Sequence, residues 1–236
     1  MDIKTMALVL RGSNYRDYDK MVTLFSGEHG KMDVMATGCR KQNSPLLPLT
    51  QVFACGEYYL AKKGDRYYLS QGELKDSFFD LRSHMPALTV AMIMSEIIDR
   101  TAMPEQPNKR YFALMVNALF VLSRGGRPKD VFAFFVFKLL DILGMKPLTD
   151  ACVSCGAPEV AALDKGGGGG LCAECASDDE KSMYTDMERA LAMPSTKIGE
   201  FVMSGAKTEF DAVCELLVNS VEFEPKSMIL LKTMMN

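Results

Sequence analysis

Four cysteines carry the most specific chemistry in the chain: Cys152-Val153-Ser154-Cys155 and, after sixteen intervening residues, Cys172-Ala173-Glu174-Cys175. Two CxxC pairs at that separation let two short knuckles close a tetrahedron of thiolates around one soft divalent ion, as structural zinc is held. Four protein sulfurs leave no open coordination position, so a single Zn2+ here would staple the fold and carry out no reaction. Two disulfides are the alternative, but they need an oxidising compartment, and the start Met-Asp-Ile-Lys-Thr carries no export signal. A thioredoxin-like CxxC stands singly at a strand-to-helix turn, whereas this motif is duplicated. Cys39, Cys55 and Cys214 stand alone and read as small buried or half-buried thiols.

Groups suited to acid–base or nucleophilic catalysis are scarce. The two histidines, His29 in a hairpin turn and His84 near a helix start, read as turn or cap residues. There is no Gly-x-Ser-x-Gly elbow, Walker loop or His-Glu-x-x-His helix. Asp and Glu are scattered, and Asp178-Asp179-Glu180 reads as a solvated loop. The glycine run 166–170 has no strand before it and no Lys-Ser/Thr after it, so it reads as a flexible tip and not a phosphate cradle. The chain is expected not to be an enzyme.

Charge points instead to binding. Lys and Arg number 12 against 10 Asp and Glu in residues 1–82, 8 against 6 in 83–150, and 7 against 14 in 151–236, for a net −3. The acidic last third masks a mildly basic first part, and a phosphate backbone meets the local field. Arg11, Lys31, Arg40, Lys41, Lys62, Lys63 and Arg66 gather around the early part of the chain with Tyr58, Tyr59, Tyr67 and Tyr68 interleaved. Cations beside stacking rings are what a single-stranded nucleic-acid groove requires; the plainer reading is that they keep a small barrel soluble.

The elements that must position these groups fall into two parts, 1–82 and 83–236. Residues 3–11 form an apolar run ended by Gly12-Ser13-Asn14, 20–26 and 31–37 flank a Gly27–Gly30 turn, and 52–61 and 66–71 flank Lys62-Lys63-Gly64-Asp65. Five short strands predict a small antiparallel barrel of the OB type, although an SH3-like barrel fits the count nearly as well. Tyr58 and Tyr59 must point to opposite faces, one inward and one toward a ligand. From residue 73 the period becomes helical, with helices over 83–101, 108–123 and 129–143, the third apolar nearly all round and so central to a bundle. The cysteine unit at 150–178 follows, then helical segments at 186–193, 196–203, 207–221 and from 225. The fold class is α+β: an N-terminal OB-fold β-barrel, then an α-helical domain with an inserted four-cysteine zinc finger. No stretch approaches the roughly twenty unbroken apolar residues of a membrane span, and a cytosolic location is expected.

This order of parts resembles the bacterial RecO family of recombination mediators and DNA repair proteins. The likeness is carried by 7–11, by Tyr18-Asp19-Lys20-Met21-Val22-Thr23-Leu24-Phe25 leading to Glu28-His29-Gly30-Lys31, by Gly38-Cys39-Arg40-Lys41, by Leu143-Gly144-Met145-Lys146-Pro147, and by the cysteine unit with Asp150 and Gly156. Arg40-Lys41 match the family's basic pair after the third strand; the glycine run and the acidic last third depart from its pattern. The resemblance implies binding to single- and double-stranded DNA, annealing of complementary strands, and action with RecR in helping RecA displace single-strand binding protein. It further implies docking of that protein's acidic C-terminal tail on the helical domain, for which Lys109, Arg110, Arg124, Arg127 and Lys129 supply basic helix ends, and a cytoplasmic, nucleoid-associated location. Two other readings are a zinc-ribbon adaptor that binds protein only and an RNA-binding OB-fold protein.

Overall fold

A computed structural model describes residues 2–205 and 207–234. The chain forms two compact units, Met1–Ser123 and Arg124–Asn236. The first holds strands β1 (Asp2–Tyr15), β2 (Asp19–Ser26), β3 (Gly30–Ala36), β4 (Cys55–Lys63) and β5 (Arg66–Asp76), then helices α1 (Met85–Thr101) and α2 (Lys109–Ser123).

The five strands close into a barrel in the order β1-β2-β3-β5-β4, antiparallel except for the short β3–β5 contact, Val34 with Tyr67 and Met35 with Tyr68. That closure is the OB topology and excludes the SH3-like alternative. Period-two alternation sends Val22 and Leu24 of β2, Met32, Val34 and Ala36 of β3, and Tyr58 and Leu60 of β4 into the core. The buried Tyr58 hydroxyl lies 3.0 and 3.1 Å from the Leu49 and Ala54 carbonyl oxygens, so the loop after β3 plugs the barrel through Leu49 and Ala54.

Several strand limits differ from the sequence reading, and β5 runs on past residue 71 to Asp76, because Glu73, Leu74 and Asp76 pair with Glu57, Gly56 and Cys55, so residues 73–76 are strand and not the start of the helical part. Strand β1 runs on past Gly12-Ser13-Asn14 to Tyr15, because Ser13, Asn14 and Tyr15 pair with Met21, Lys20 and Asp19. Strand β4 starts at Cys55 and not at 52, because Phe53 adopts a left-handed conformation (φ 71°) that breaks the extended chain. Between Val9 and Arg11 the register shifts by one residue, making Leu10 a bulge. The Leu10 carbonyl then accepts a 2.9 Å hydrogen bond from Ser95 Oγ, tying α1 to the barrel.

The second unit holds helix α3 (Pro128–Leu143), the two-residue strands β6 (Ala162–Leu163) and β7 (Gly170–Leu171), and helices α4 (Asp178–Ala192), α5 (Lys207–Val221) and α6 (Met228–Met234). As its all-round apolarity requires, α3 buries Val131 to Phe137 without a break, together with Leu139 and Leu140. Helix α4 begins eight residues before the expected 186. Asp178-Asp179-Glu180 are its first turn and not a loop: Ser177 and Glu180 form a reciprocal capping box, and three acids complement the helix dipole.

Candidate nucleic-acid interface and metal centre

The four cysteine sulfurs lie within 4.8 Å of one another, with Cys155 and Cys172 Sγ 3.6 Å apart. A tetrahedral ion with metal–sulfur bonds of about 2.3 Å needs sulfurs roughly 3.8 Å apart, so the set fits one soft divalent ion. Each knuckle turns on a main-chain bond: Gly156 N–H donates to the Cys152 carbonyl at 2.8 Å, and Ala176 N–H to that of Cys172 at 3.2 Å. Main-chain N–H groups at Cys172 and Cys155 hold the Cys152 thiol down to about 6. Cys175, although Ser154 pulls it down, is pushed up to about 12 by the neighbouring Cys172 and Cys155 sulfurs. One ready thiolate beside two reluctant thiols, Cys155 and Cys175, is what crowded sulfurs give before a cation takes the place of their protons.

The glycine run is part of this centre and not a flexible tip. Asp164 accepts hydrogen bonds from Gly166 N–H at 2.9 Å and Gly168 N–H at 3.1 Å, folding the turn back on itself. Gly170 then bridges to Cys152 and pairs with Leu163 in the β6–β7 ribbon, so β7 delivers Cys172 beside the first knuckle. A Cβ on Gly170 would meet Val160 at 2.6 Å, and Gly169 holds φ 133°, which is why side chains are absent here.

The second candidate site lies on the outer face of β1–β3. Half of that face is covered. Phe25 packs edge-on against Tyr111 of α2 at 5.4 Å, Lys31 Nζ donates to the Asp99 carbonyl of α1, and the α1–α2 linker runs along β3. There Glu105 N–H donates to the Lys31 carbonyl at 3.1 Å, and a Cβ on Gly30 would strike Gln106 at 2.3 Å. The other half is open. A cleft of about 270 Å³ has a floor of Met21 and Met35, a wall of Tyr15 and Tyr67, and Asp65 and Arg66 from the β4–β5 tip. OB barrels take oligonucleotides on the face of strands 2 and 3 between the β1–β2 and β4–β5 loops, which is where this cleft sits.

The seven basic residues expected at a nucleic-acid surface take different positions. Arg40 and Lys41 are exposed after β3 and adjoin the β1–β2 tip: Arg40 N–H donates to the Tyr18 carbonyl at 2.9 Å, and Lys41 shares a second hollow with Arg16 and Tyr18. Arg66 lines the main cleft, and Lys63 lies over the Tyr68 ring at 5.5 Å. Lys62 is held from two sides, 3.2 Å from the Tyr67 hydroxyl and 3.7 Å from Glu105, which raise its ammonium pKa further. Arg11 and Lys31 converge on Asp99: Arg11 Nε is 2.8 Å from Asp99 Oδ2 and its Nη2 3.7 Å from Asp33, while Lys31 Nζ is 3.6 Å from Asp99 Oδ1. Tyr58 and Tyr67 are buried and Tyr59 and Tyr68 face outward, as alternation requires. Lys4, not a ligand-facing cation, lies over Tyr59 at 5.4 Å.

Tyr15 and Arg16 went unnoticed in the sequence reading, where Tyr18 counted only toward the family likeness. Tyr15 and Tyr18 are exposed, and the Arg16 guanidinium lies 5.3 Å from the Tyr15 ring. Their signal, two tyrosines and an arginine between strand-forming runs, is visible only once β1 is known to continue to the tip. The basic helix ends are divided between the two units: Lys109 approaches Glu28 at 4.0 Å, Arg127 pairs with Asp130 at 2.6 Å, and Lys129 lies over Phe210 at 5.2 Å.

Comparison with known proteins gives concordant matches in both parts of the chain. Residues 1–78 match the family described as Recombination protein O N terminal, and residues 82–194 that described as Recombination protein O C terminal. The chain is similar to the DNA repair protein RecO of Bacillus pumilus, 36% identical over 160 residues that cover 67% of this chain and 62% of that relative. It is 29% identical over 194 residues to that of Acetivibrio thermocellus, covering 81% of this chain and 77% of the relative. Against the Bacillus subtilis protein it is 35% identical over 153 residues, covering 64% and 60%. Among the described residues no helix is long and apolar enough to cross a membrane.

Proposed function

Because this chain belongs to the recombination protein O family, with a role in DNA repair and recombination, we propose that it acts there without catalysis, by binding single- and double-stranded DNA and annealing complementary strands. The observation that carries this reading is the open half-face of the barrel. Its cleft offers an apolar floor and the exposed Tyr15 ring for an unstacked base, with Arg66 on one side and Arg16, Arg40 and Lys41 around the adjoining tip for phosphates. Neutralising both strands on one surface lowers the repulsion between their backbones, which is how a protein without ATP can speed annealing.

Cys152, Cys155, Cys172 and Cys175 would hold one zinc ion, which would cross-link the two knuckles and leave no reactive position. Family membership extends the proposal to partners: RecR, the acidic C-terminal tail of single-strand binding protein, and through them RecA, in the cytoplasm at the nucleoid. The barrel and the helical part are proposed to divide these tasks at about residue 82, with DNA on the barrel.

The test is a salt titration of single-stranded DNA affinity for wild type and the Arg40→Glu/Lys41→Glu variant, alongside annealing without ATP. Each lost phosphate contact removes about 0.7 from the slope of log K against log salt. The variant is expected to keep its fold, bind all sequences more weakly, show a flatter slope and anneal more slowly. An unchanged slope and annealing rate would take DNA off the barrel tip, and preferential competition by RNA would favour an RNA-binding protein.

A further inference from the structure

Three of the cations expected to meet DNA are already engaged by carboxylates from outside the barrel. Asp99 is an acid in the last turn of α1, and Glu105 lies in the α1–α2 linker strapped along β3. Asp99 takes Arg11 at 2.8 Å and Lys31 at 3.6 Å; Glu105 takes Lys62 at 3.7 Å and accepts a 2.7 Å hydrogen bond from the Tyr67 hydroxyl. These contacts border the open cleft, since Asp33, which Arg11 also approaches, and Tyr67 both line it.

We propose that Asp99 and Glu105 act as internal phosphate mimics that hold Arg11 and Lys62 back from DNA, so that the barrel binds loosely enough to release a strand. This rests on the reading of the cleft as the DNA surface. A carboxylate presents to a guanidinium or ammonium the same paired, anionic oxygens as a backbone phosphate. The Arg11 and Lys62 side chains remain 54% and 36% exposed, so phosphate can reach them once the carboxylate yields. Lys31 differs. It is 19% exposed and also donates to the Asp99 main-chain carbonyl, a bond that does not depend on the carboxylate. Lys31 is therefore the tether that keeps α1 on the barrel, and Arg11 and Lys62 are the reserve. A protein that brings two strands together must then let go of the product, and a weak internal competitor at each cation favours release.

The experiment measures single-stranded DNA affinity against salt for the full chain and its Asp99→Asn and Glu105→Gln variants, with thermal melting as the fold control. Each variant is expected to bind about threefold tighter at low salt, the scale of an exposed ion pair, and to steepen the salt slope by about 0.7 as one cation moves to phosphate. Mere removal of a repelling charge would tighten binding whatever Lys62 does, so Glu105→Gln is repeated in a Lys62→Gln background, where the gain should vanish. Unchanged affinity and slope in both variants, or a Glu105→Gln gain that survives without Lys62, would overturn the proposal. If Asp99→Asn lowers the melting point, Glu105→Gln alone decides. Failure of the underlying reading shows separately, as an Arg40→Glu/Lys41→Glu variant that keeps the wild-type slope.

Discussion

In Met1–Ser123 the buried polar side chains are hydroxyls, those of Thr5, Thr23, Ser26, Thr50, Thr89 and Ser95, whereas in Arg124–Asn236 the described ones are Ser227 and three carboxyl groups, Glu180, Asp186 and Glu209. A hydroxyl rotates to satisfy whatever lies beside it, as Thr5 and Ser26 do for each other at 2.6 Å. A carboxylate needs donors brought to it. Asp186 has them in Arg189 at 2.7 Å and in the Ser204 N–H and Oγ at 2.7 and 2.6 Å, and Glu180 has Ser177 N–H and Oγ. Glu209 has none among the described residues. The difference teaches where each unit tolerates sensitivity: the first keeps charged side chains out of its core, and the second buries carboxyls that depend on donors or protons and also carries the four clustered cysteines.

The largest expected break in that contrast is metal removal. Cys152→Ser, or a strong chelator, should cost the second unit about 3 kcal/mol or more, because ion binding energy in such knuckles is folding energy, while leaving the first unit's melting unchanged. Elemental analysis of freshly purified, reduced protein should give one zinc per chain, and a melting profile in which both units shift together would break the comparison.

Next comes acidity at Glu209, whose carboxyl is pushed up to about 7 by burial and by the neighbouring Asp186 carboxylate. Folded protein therefore binds the proton more tightly than unfolded protein. Its stabilising effect is full below the ordinary glutamate range and is lost as pH rises through about 7. Glu209→Gln should remove that decline and leave the protein about 1–3 kcal/mol more stable at pH 8, read as denaturation midpoints at pH 5 and 8. A wild-type midpoint that rises over this interval by the same amount in both proteins would show that Glu209 is not the source.

The smallest effect is expected in the first unit. Ser95→Ala removes the hydrogen bond to the Leu10 bulge and should cost about 1 kcal/mol, equally at pH 5 and pH 8. A pH-dependent loss there would blur the distinction between the units.

Much of this was legible in local pattern. The turn glycines Gly30 and Gly64, both at positive φ, bracket hairpins whose alternation alone assigns Tyr58 and Tyr59 to opposite faces. The cysteine spacing located the four-sulfur cluster because ligand geometry is a local constraint. What escaped depends on partners distant in sequence. Gly12-Ser13-Asn14 reads as a stop until β2 is seen to pair with it, and the glycine run reads as slack until Asp164 and Val160 are seen to fill its surroundings. Asp178-Asp179-Glu180 was the exception. Its capping signature with Ser177 was present in the sequence, and the acidity that suggested a loop was the helix start itself. Nothing local distinguishes Arg11, which meets the Asp99 carboxylate, from Arg40, whose guanidinium donates to the Arg16 main-chain carbonyl.

The linker that runs beside β3 also bears on how the chain can be cut. Strand β5 pairs with β3 only at Val34 and Met35, and the lower edge of β3, around Lys31, is completed by Pro104 and Glu105. A fragment ending at residue 82 would carry every barrel strand and still be an unfinished barrel, presenting bare main-chain amides and carbonyls together with an uncovered Phe25. Such an edge recruits strands from other molecules. A fragment ending at Ser123 brings its own cover, because the linker and both helices that complete β3 and shield Phe25 lie within that unit.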